Sequence, residues 1–269
     1  MTIRTARADE LPMILDWAAA EGWNPGRDDA AAFMAADPEG FFVNEVDGKP
    51  VAAISVVNHC DALAFLGLYL CLPDYRGQGH GWAVWQAALE HAAGRTVGLD
   101  GVPAQQENYA RSGFVKMGRT VRFAAEAMPR TQEGVGPGDP AALEALDEAV
   151  NGAARPRFAT AWFSDTEHRR TLTAGPDTLV TIRRCGTGAK IGPLIAPDAA
   201  TALRLVEAAA ASLGETEIFV DIPDANPAGA ELAALLNAAP VFETARMYRG
   251  TPPATDHARL FGIATMELG

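Results

Sequence analysis

The sequence predicts an α/β (α+β) chain made of two homologous domains, and three observations predict it. Strand-like and helix-like segments alternate along all 269 residues. A stretch rich in Pro and Gly, PRTQEGVGPGDP (Pro129 to Pro140), has no apolar periodicity and divides the chain near its middle. On either side of it GLDGVPAQQENYARSGFVKMGRTVRF and FVDIPDANPAGAELAALLNAAPVFETARMYRG share one plan: strand ending in Asp, Pro-containing loop, helix, strand. YLCLPD likewise matches PLIAPD. The expected boundaries are residues 1–128 and 141–269, with 129–140 as linker.

Each element has a local reason. TIRTAR (Thr2 to Arg7) alternates and reads as a strand. Asp9 precedes ELPMILDWAAAEG, where a carboxylate can cap the first amides and Pro12 is tolerated in the first turn. The loop Trp23 to Arg27 follows, with Asp28 expected to start a second short helix. Phe41 to Val46 and Pro50 to Val57 flank Asp47-Gly48, a turn dipeptide that suits a hairpin. Ala62 to Leu72 is an apolar run expected to be a strand buried on both faces. A Gly-rich loop leads into a helix from about Gly81 to Ala93, and Thr96 to Asp100 is a further strand. Helix ENYARSG ends at Gly113, and FVKMGRTVRF closes the first domain. In the second, helices are expected at Ala141 to Val150 and around Thr166 to Thr173. Strands TLVTIRR and GPLIAPD, an Ala-rich helix (Ala199 to Leu213), strand IFVDI, helix ELAALLN, strand VFETARMYRG and a last strand FGIATMELG complete the chain.

Composition narrows the function. The 28.3 kDa chain is 48% hydrophobic and 21% charged, the balance of a globular core. Its net charge of −12 argues against a nucleic-acid partner, which needs a cationic face. No apolar run reaches signal-peptide or membrane-span length. Cys60, Cys71 and Cys185 show neither disulfide nor metal-ligand spacing, so a reduced, cytoplasmic, metal-free protein with no membrane partner is expected.

The sharpest feature is LPDYRGQGHGW (Leu72 to Trp82). A buried strand ends, and Gly77, Gly79 and Gly81 alternate before a helix. Glycines let backbone amides face a ligand, and a helix N-terminus adds unpaired N–H groups, so together they suit a pyrophosphate. The alternative is a bare strand-to-helix turn. The loop is neither GxGxxG, since position 82 is Trp82, nor a GxxxxGK[ST] loop.

With this order of elements, Arg76-Gly77-Gln78-Gly79-His80-Gly81 resembles the acyl-CoA motif of the GNAT N-acetyltransferase superfamily. The resemblance covers roughly residues 1–125 and implies a mixed, mostly antiparallel sheet flanked by helices. It also implies a tandem protein whose C-terminal domain is a degenerate copy. By this likeness Arg76 and the amides of Gln78 to Trp82, including Gly79, His80 and Gly81, would hold the pyrophosphate of acetyl-CoA. Tyr69, Leu70 and Cys71 would line the pantetheine and polarise the thioester carbonyl. Tyr109, four residues before Gly113-Phe114, matches the family's general acid; the alternative is a helix Tyr packed on the sheet. Asn108 is placed either on the CoA arm or at a helix cap. Trp23, Asn24 and Asp28 lie where the fold presents its acceptor loop.

The base is not identified by the sequence. The strand before the glycine loop has no acid, and Asp61, Glu45 and His59 are weak substitutes. Cys71 is expected to be a small buried hydrophobe. In the second domain Pro197-Asp198 is followed by Ala199, Ala200 and Thr201 in place of alternating Gly, so one CoA site per chain is expected. Trp162, Phe163 and His168 are read as core packing. The expected activity is N-acetyl transfer from acetyl-CoA to a primary amine of a small molecule. The alternatives are an acetyl-CoA sensing module without catalysis, or an interaction scaffold.

Overall fold

The first half of the chain lays down six strands in order. The computed structural model describes residues 2–269. The first half comprises β1 (Thr2–Thr5), α1 (Leu11–Ala20), α2 (Asp29–Ala36), β2 (Phe41–Val46), β3 (Lys49–Asn58) and β4 (Leu63–Cys71). It continues with α3 (His80–His91), β5 (Thr96–Gly101), α4 (Gln106–Arg111) and β6 (Val115–Glu126). The second half comprises α5 (Pro140–Asn151), α6 (Pro156–Trp162), β7 (Arg169–Leu172), β8 (Leu179–Arg184), β9 (Ala189–Ile195) and α7 (Ala199–Leu213). It ends with β10 (Glu217–Pro223), α8 (Gly229–Leu235), β11 (Ala239–Arg249) and β12 (Leu260–Gly262).

The two expected sheets join edge to edge. The strand order is β1-β2-β3-β4-β5-β11-β6-β10-β9-β8-β7, with β12 on β9. The halves exchange their long strands: β11 pairs with β5 of the first half, and β6 pairs with β10 of the second. The two exchanged strands pair with each other at the centre, antiparallel. Only β4–β5 and β9–β10 are parallel, and they occupy equivalent places in the two halves.

Three expectations change. Residues 166–173 are not a helix: β7 runs there, and the helix is α6, which begins on Pro156, a residue suited to the first helical position. The C-terminal FGIATMELG is not a full strand either. It pairs only through Leu260 and Gly262, and residues 263–269 then run as a buried tail. Asp9 caps no helix; its carboxylate meets Arg7, while Glu10 takes the Arg7 amide at 2.8 Å and pairs with Arg4. Residues 127–139 hold neither helix nor strand, and the expected linker 129–140 falls there except for Pro140, which opens α5.

Apolar faces explain the layering. Val84, Trp85 and Ala88 of α3 pack on Ala64, Leu66 and Leu99. Helix α7 covers Ile182, Ile191 and Val220 on the other half. A third core is shared: α1 and α2 meet α5, α6 and the tail through Phe33, Phe158, Trp162 and Leu268, each buried completely or nearly so. Each such large side chain contributes roughly 1.5–3 kcal/mol. A buried clasp accompanies it. Asp29 of α2 accepts from Arg169 at 3.1 Å and Arg183 at 3.2 Å, both from the second half. Both guanidiniums lie over the Trp162 ring, 4.4 and 4.6 Å from its centroid. Burial pushes the Asp29 carboxyl up, and the two arginines more than reverse it, leaving it ionised.

Candidate functional site

The site begins where β4 parts from its parallel neighbour. Leu63 to Leu66 pair with Thr96 to Leu99, and the ladder stops there. The register of β4 against β3 slips between Ser55–Gly67 and Ala53–Leu70, and Leu68 adopts φ +47° inside this bulge. Tyr69, Leu70 and Cys71 therefore continue along β3 while their other edge faces an opening fork.

The glycine turn closes one end of the fork. Pro73 to Tyr75 form a single tight turn, after which Gly77 and Gly79 take φ +74° and +86°. L-residues avoid that region, so the two glycines permit the turn. Gly81 serves space instead, because a Cβ there would stand 2.9 Å from the Tyr69 hydroxyl. Among the described residues, the amides of Gly77 to Trp82 donate to no protein oxygen outside the helix. The first amide so engaged is that of Ala83, which donates to the Gly79 carbonyl at 3.0 Å. These amides border a groove of about 590 Å³, open to solvent, that runs past Tyr69 and Cys71 to Trp23 and Gln105.

The side chains around the turn hold its shape. The Arg76 Nε donates to the Cys71 carbonyl at 2.9 Å, and its guanidinium pairs with Glu21. Gln78 donates to the Asp74 carbonyl at 2.7 Å. The His80 carbonyl accepts from Asn44 at 3.1 Å. Trp82 is exposed and stands between the groove and a neighbouring recess lined by Asn108 and Tyr109. Burial pushes the Cys71 thiol up, partly offset by Arg76 and the Gly81 amide, which disfavours a thiolate nucleophile.

Tyr109 stands at the inner end. Its ring stacks on Trp85 at 5.4 Å and 13°, and it is buried. The missing Cβ of Gly101 makes room for it, since a Cβ there would lie 2.8 Å from the Tyr109 ring. Burial, and then the nearby Tyr69, push the Tyr109 phenol well above its ordinary value, so it keeps its proton. Asn108 donates to Gln105 at 2.7 Å at the rim.

Beyond Tyr109 the fork holds a small cavity of about 60 Å³. The first half contributes Leu66, Gly67, Leu68, Asp100, Arg122 and Trp23, and the second contributes Phe242, Thr244, Met266 and Glu267. The Trp23 carbonyl is held by Lys190 at 2.8 Å and Arg122 at 3.1 Å. Of the three residues expected on the acceptor loop, only Trp23 lines this cavity. Asn24 and Asp28 lie outside its lining. Asn24 exchanges hydrogen bonds with the Thr187 backbone, and Asp28 accepts from the Thr166 hydroxyl and the His168 amide. Both fasten the loop to the second half, which satisfies their polar groups away from the cavity.

The acids and imidazole considered from sequence lie elsewhere. Glu45 pairs with Arg4, and Asp61 is fully exposed. His59 is buried against Phe158, donates from Nε2 to the Leu268 carbonyl at 2.8 Å, and is pushed down to about 3 by burial. Sequence reading missed Glu267, Phe242 and Thr244, which reach the cavity only through strand exchange and the tail. One signal was available: Gly67, alone inside an apolar strand, marks a close backbone approach. A Cβ at Gly67 would collide with the Glu267 carbonyl. Among the described residues, no group of three or more His, Cys, Asp or Glu is placed to hold a metal, and no helix is long and apolar enough to cross a membrane.

Comparison with known proteins gives a consistent result. A family model described as "Acetyltransferase (GNAT) family" matches residues 8–118, and one described as "Acetyltransferase (GNAT) domain" matches residues 143–262. The chain is 32% identical to the holothin acyltransferase of Pseudoalteromonas sp. (strain SANK 73390), over 100% of this chain and 94% of that protein. Its fold matches a solved acetyltransferase-class structure from Pyrococcus horikoshii with TM-score 0.86 at 24% identity, covering 100% and 95% of the two chains. It also matches a tandem GNAT protein from the clavulanic acid biosynthesis pathway with TM-score 0.62 at 15% identity, covering 93% and 99%. At these identities the two structures bear on fold alone.

Proposed function

We propose, because this chain belongs to the GNAT acetyltransferase family and is an acyltransferase, that it moves an acetyl group from acetyl-CoA to the primary amine of a small molecule. Transfer is by direct attack in a ternary complex. The observation that carries the reading is the run of amides from Gly77 to Trp82, free of protein oxygen acceptors, at the mouth of a groove that leads to Tyr109. A diphosphate supplies the acceptors those amides lack, and the α3 dipole favours its charge. Acetyl-CoA brings the acetyl group as a thioester.

The chain's own residues account for the remaining requirements. Arg76 and Gln78 hold the turn, and Trp82 and Asn108 flank the path of the pantetheine. The free edge of Tyr69, Leu70 and Cys71 offers backbone donors to the thioester carbonyl. Tyr109 donates its proton to the departing sulfur; burial keeps the phenol neutral and protonated before transfer. The amine end of the acceptor enters the 60 Å³ cavity beside Trp23. That cavity is too small for a folded protein surface, and the acyltransferase relative is named for a single compound, holothin, which supports a small-molecule acceptor. A net charge of −12 suits an enzyme drawing a cationic amine.

The test is titration calorimetry with acetyl-CoA, followed by free-thiol release over spermidine, benzylamine, glycinamide and kanamycin. Binding at one equivalent per chain and amine-dependent thiol release are expected. Binding with no thiol release over the panel would replace transfer by sensing, and absence of binding would end the reading.

A further inference from the structure

We infer that Glu267, carried by the C-terminal tail of the second half, accepts the proton of the acceptor amine. This rests on the transferase reading above and adds the one group that reading lacks. The geometry carries it. Glu267 lines the fork cavity together with Tyr109, and its residue is 5% exposed. Its backbone lies against Gly67 at the β4 bulge, where any Cβ would collide with its carbonyl oxygen. The tail is thus held at the fork by the absence of a side chain on the opposing strand. One carboxylate oxygen accepts from the Thr265 hydroxyl, which orients the group. Among the described residues, the other oxygen takes no hydrogen bond from the protein.

The other acid of the cavity is already spent. Both oxygens of Asp100 are held by Arg246, at 3.0 and 2.7 Å. Arg122, the cation of the same wall, directs its donors to Asp221 and to the Trp23 carbonyl. The charged groups facing Glu267 are therefore Arg122, Arg183 and Lys190 from three strands, with Asp221 and Asp100 beside them and the neutral Tyr109 across the cavity.

The step balances without a further reactant. Glu267 takes one proton from the bound ammonium, which frees the nitrogen lone pair. The lone pair attacks the carbonyl carbon, a carbon–nitrogen bond forms and the carbon–sulfur bond breaks. The sulfur takes the Tyr109 proton, and the second proton shed by nitrogen returns through solvent to Tyr109. Glu267 releases its proton to solvent, so ammonium and thioester become amide, thiol and one proton. The acceptor class follows: a primary amine that binds protonated, on an apolar body fitting between Trp23, Phe242 and Met266, and carrying no carboxylate of its own.

The experiment compares the full-length chain with Glu267→Gln and Glu267→Asp, using acetyl-CoA and whichever panel amine releases thiol. For Glu267→Gln, kcat/KM should fall by roughly 10²–10⁴-fold with acetyl-CoA binding by calorimetry unchanged. Its logarithm should then rise with unit slope up to the pKa of the amine, because only free amine reacts. The wild type should show a plateau below that pKa. Glu267→Asp keeps the charge, so it should keep the plateau at a reduced rate and serves if the Gln variant does not fold. A Gln variant with the wild-type rate and profile would overturn the inference and leave transfer intact. So would an Asp variant as fast as wild type beside a Gln variant that loses only melting temperature, which would assign Glu267 to charge balance against Lys190. Acetyl-CoA binding with no thiol release by the wild type would overturn transfer and this inference together.

Discussion

Helices α3 and α7 begin at equivalent places, each after the strand that forms a parallel pair, yet their N-termini differ in every feature that bears on an anion. At α3 the cap is Gly79 at φ +86°, with no side chain on the first amides. At α7 the cap is Asp198, whose carboxylate accepts from the Thr201 amide at 2.7 Å and is held below its ordinary range by that bond. Ala199 behind it is buried. One helix keeps its orphan donors for a ligand; the other satisfies them itself. The forks differ in the same sense. Between β4 and β5 there is a cavity, while the β9–β10 fork is filled by β12, with Leu260 on Ile195 and the Ile263 amide on the Asp221 carbonyl. The same C-terminal segment that plugs the second fork goes on to wall the first. On the proposed reading, one segment of the second half both closes its own fork and completes the site of the first.

The comparison can be broken or sharpened by substitution. The largest effect is expected from Tyr109→Phe, which should lower turnover by roughly 10²–10⁴-fold and leave acetyl-CoA affinity nearly unchanged in calorimetry. Unchanged turnover would remove the first half's claim to the acid. Next is Asp29→Asn. It leaves Arg169 and Arg183 buried without their counter-charge, so thermal denaturation should show a loss of about 3–5 kcal/mol in a single transition. Two separate transitions would mean that the halves do not form one cooperative unit. Gly79→Ala makes the first cradle resemble the second. An L-residue at positive φ costs about 1–2 kcal/mol, so acetyl-CoA affinity should fall roughly 5–30-fold if the turn relaxes out of its binding shape. The smallest effect is Asp198→Ala. Uncapping α7 should cost about 1 kcal/mol in denaturant unfolding and add no second equivalent of acetyl-CoA. A stoichiometry of two in that variant would contradict the reading of the second half.

Local chemistry made much of this legible. The hairpin at Asp47-Gly48, with both residues at positive φ, is read directly from the dipeptide. Helix α7 runs over the expected residues, Ala199 to Leu213, because its apolar stripe and its Asp and Gly ends agree. The glycine turn and Tyr109 stand out because each is tied to a short contiguous motif. What was not legible is long-range. Asn24 and Asp28 sit in a plausible acceptor loop but fasten it to Thr187 and Thr166, partners about 140 to 160 residues away. FGIATMELG has the alternation of a strand, yet after Gly262 the tail leaves the ladder and takes Glu267 to the first half.

The amino-acid order by itself determined two related halves, the strand-to-helix turn with its free amides, and the absence of that turn from the second half. These depend on φ preferences, capping and periodicity, all of which act within a few residues. Only the tertiary structure decided that β6 and β11 cross between halves, that the second fork is plugged, and that Glu267 from the far end of the chain lines the Tyr109 cavity. The physical reason is that strand exchange keeps each strand's own pattern while changing its neighbour, so no local signal distinguishes a strand that stays from one that crosses.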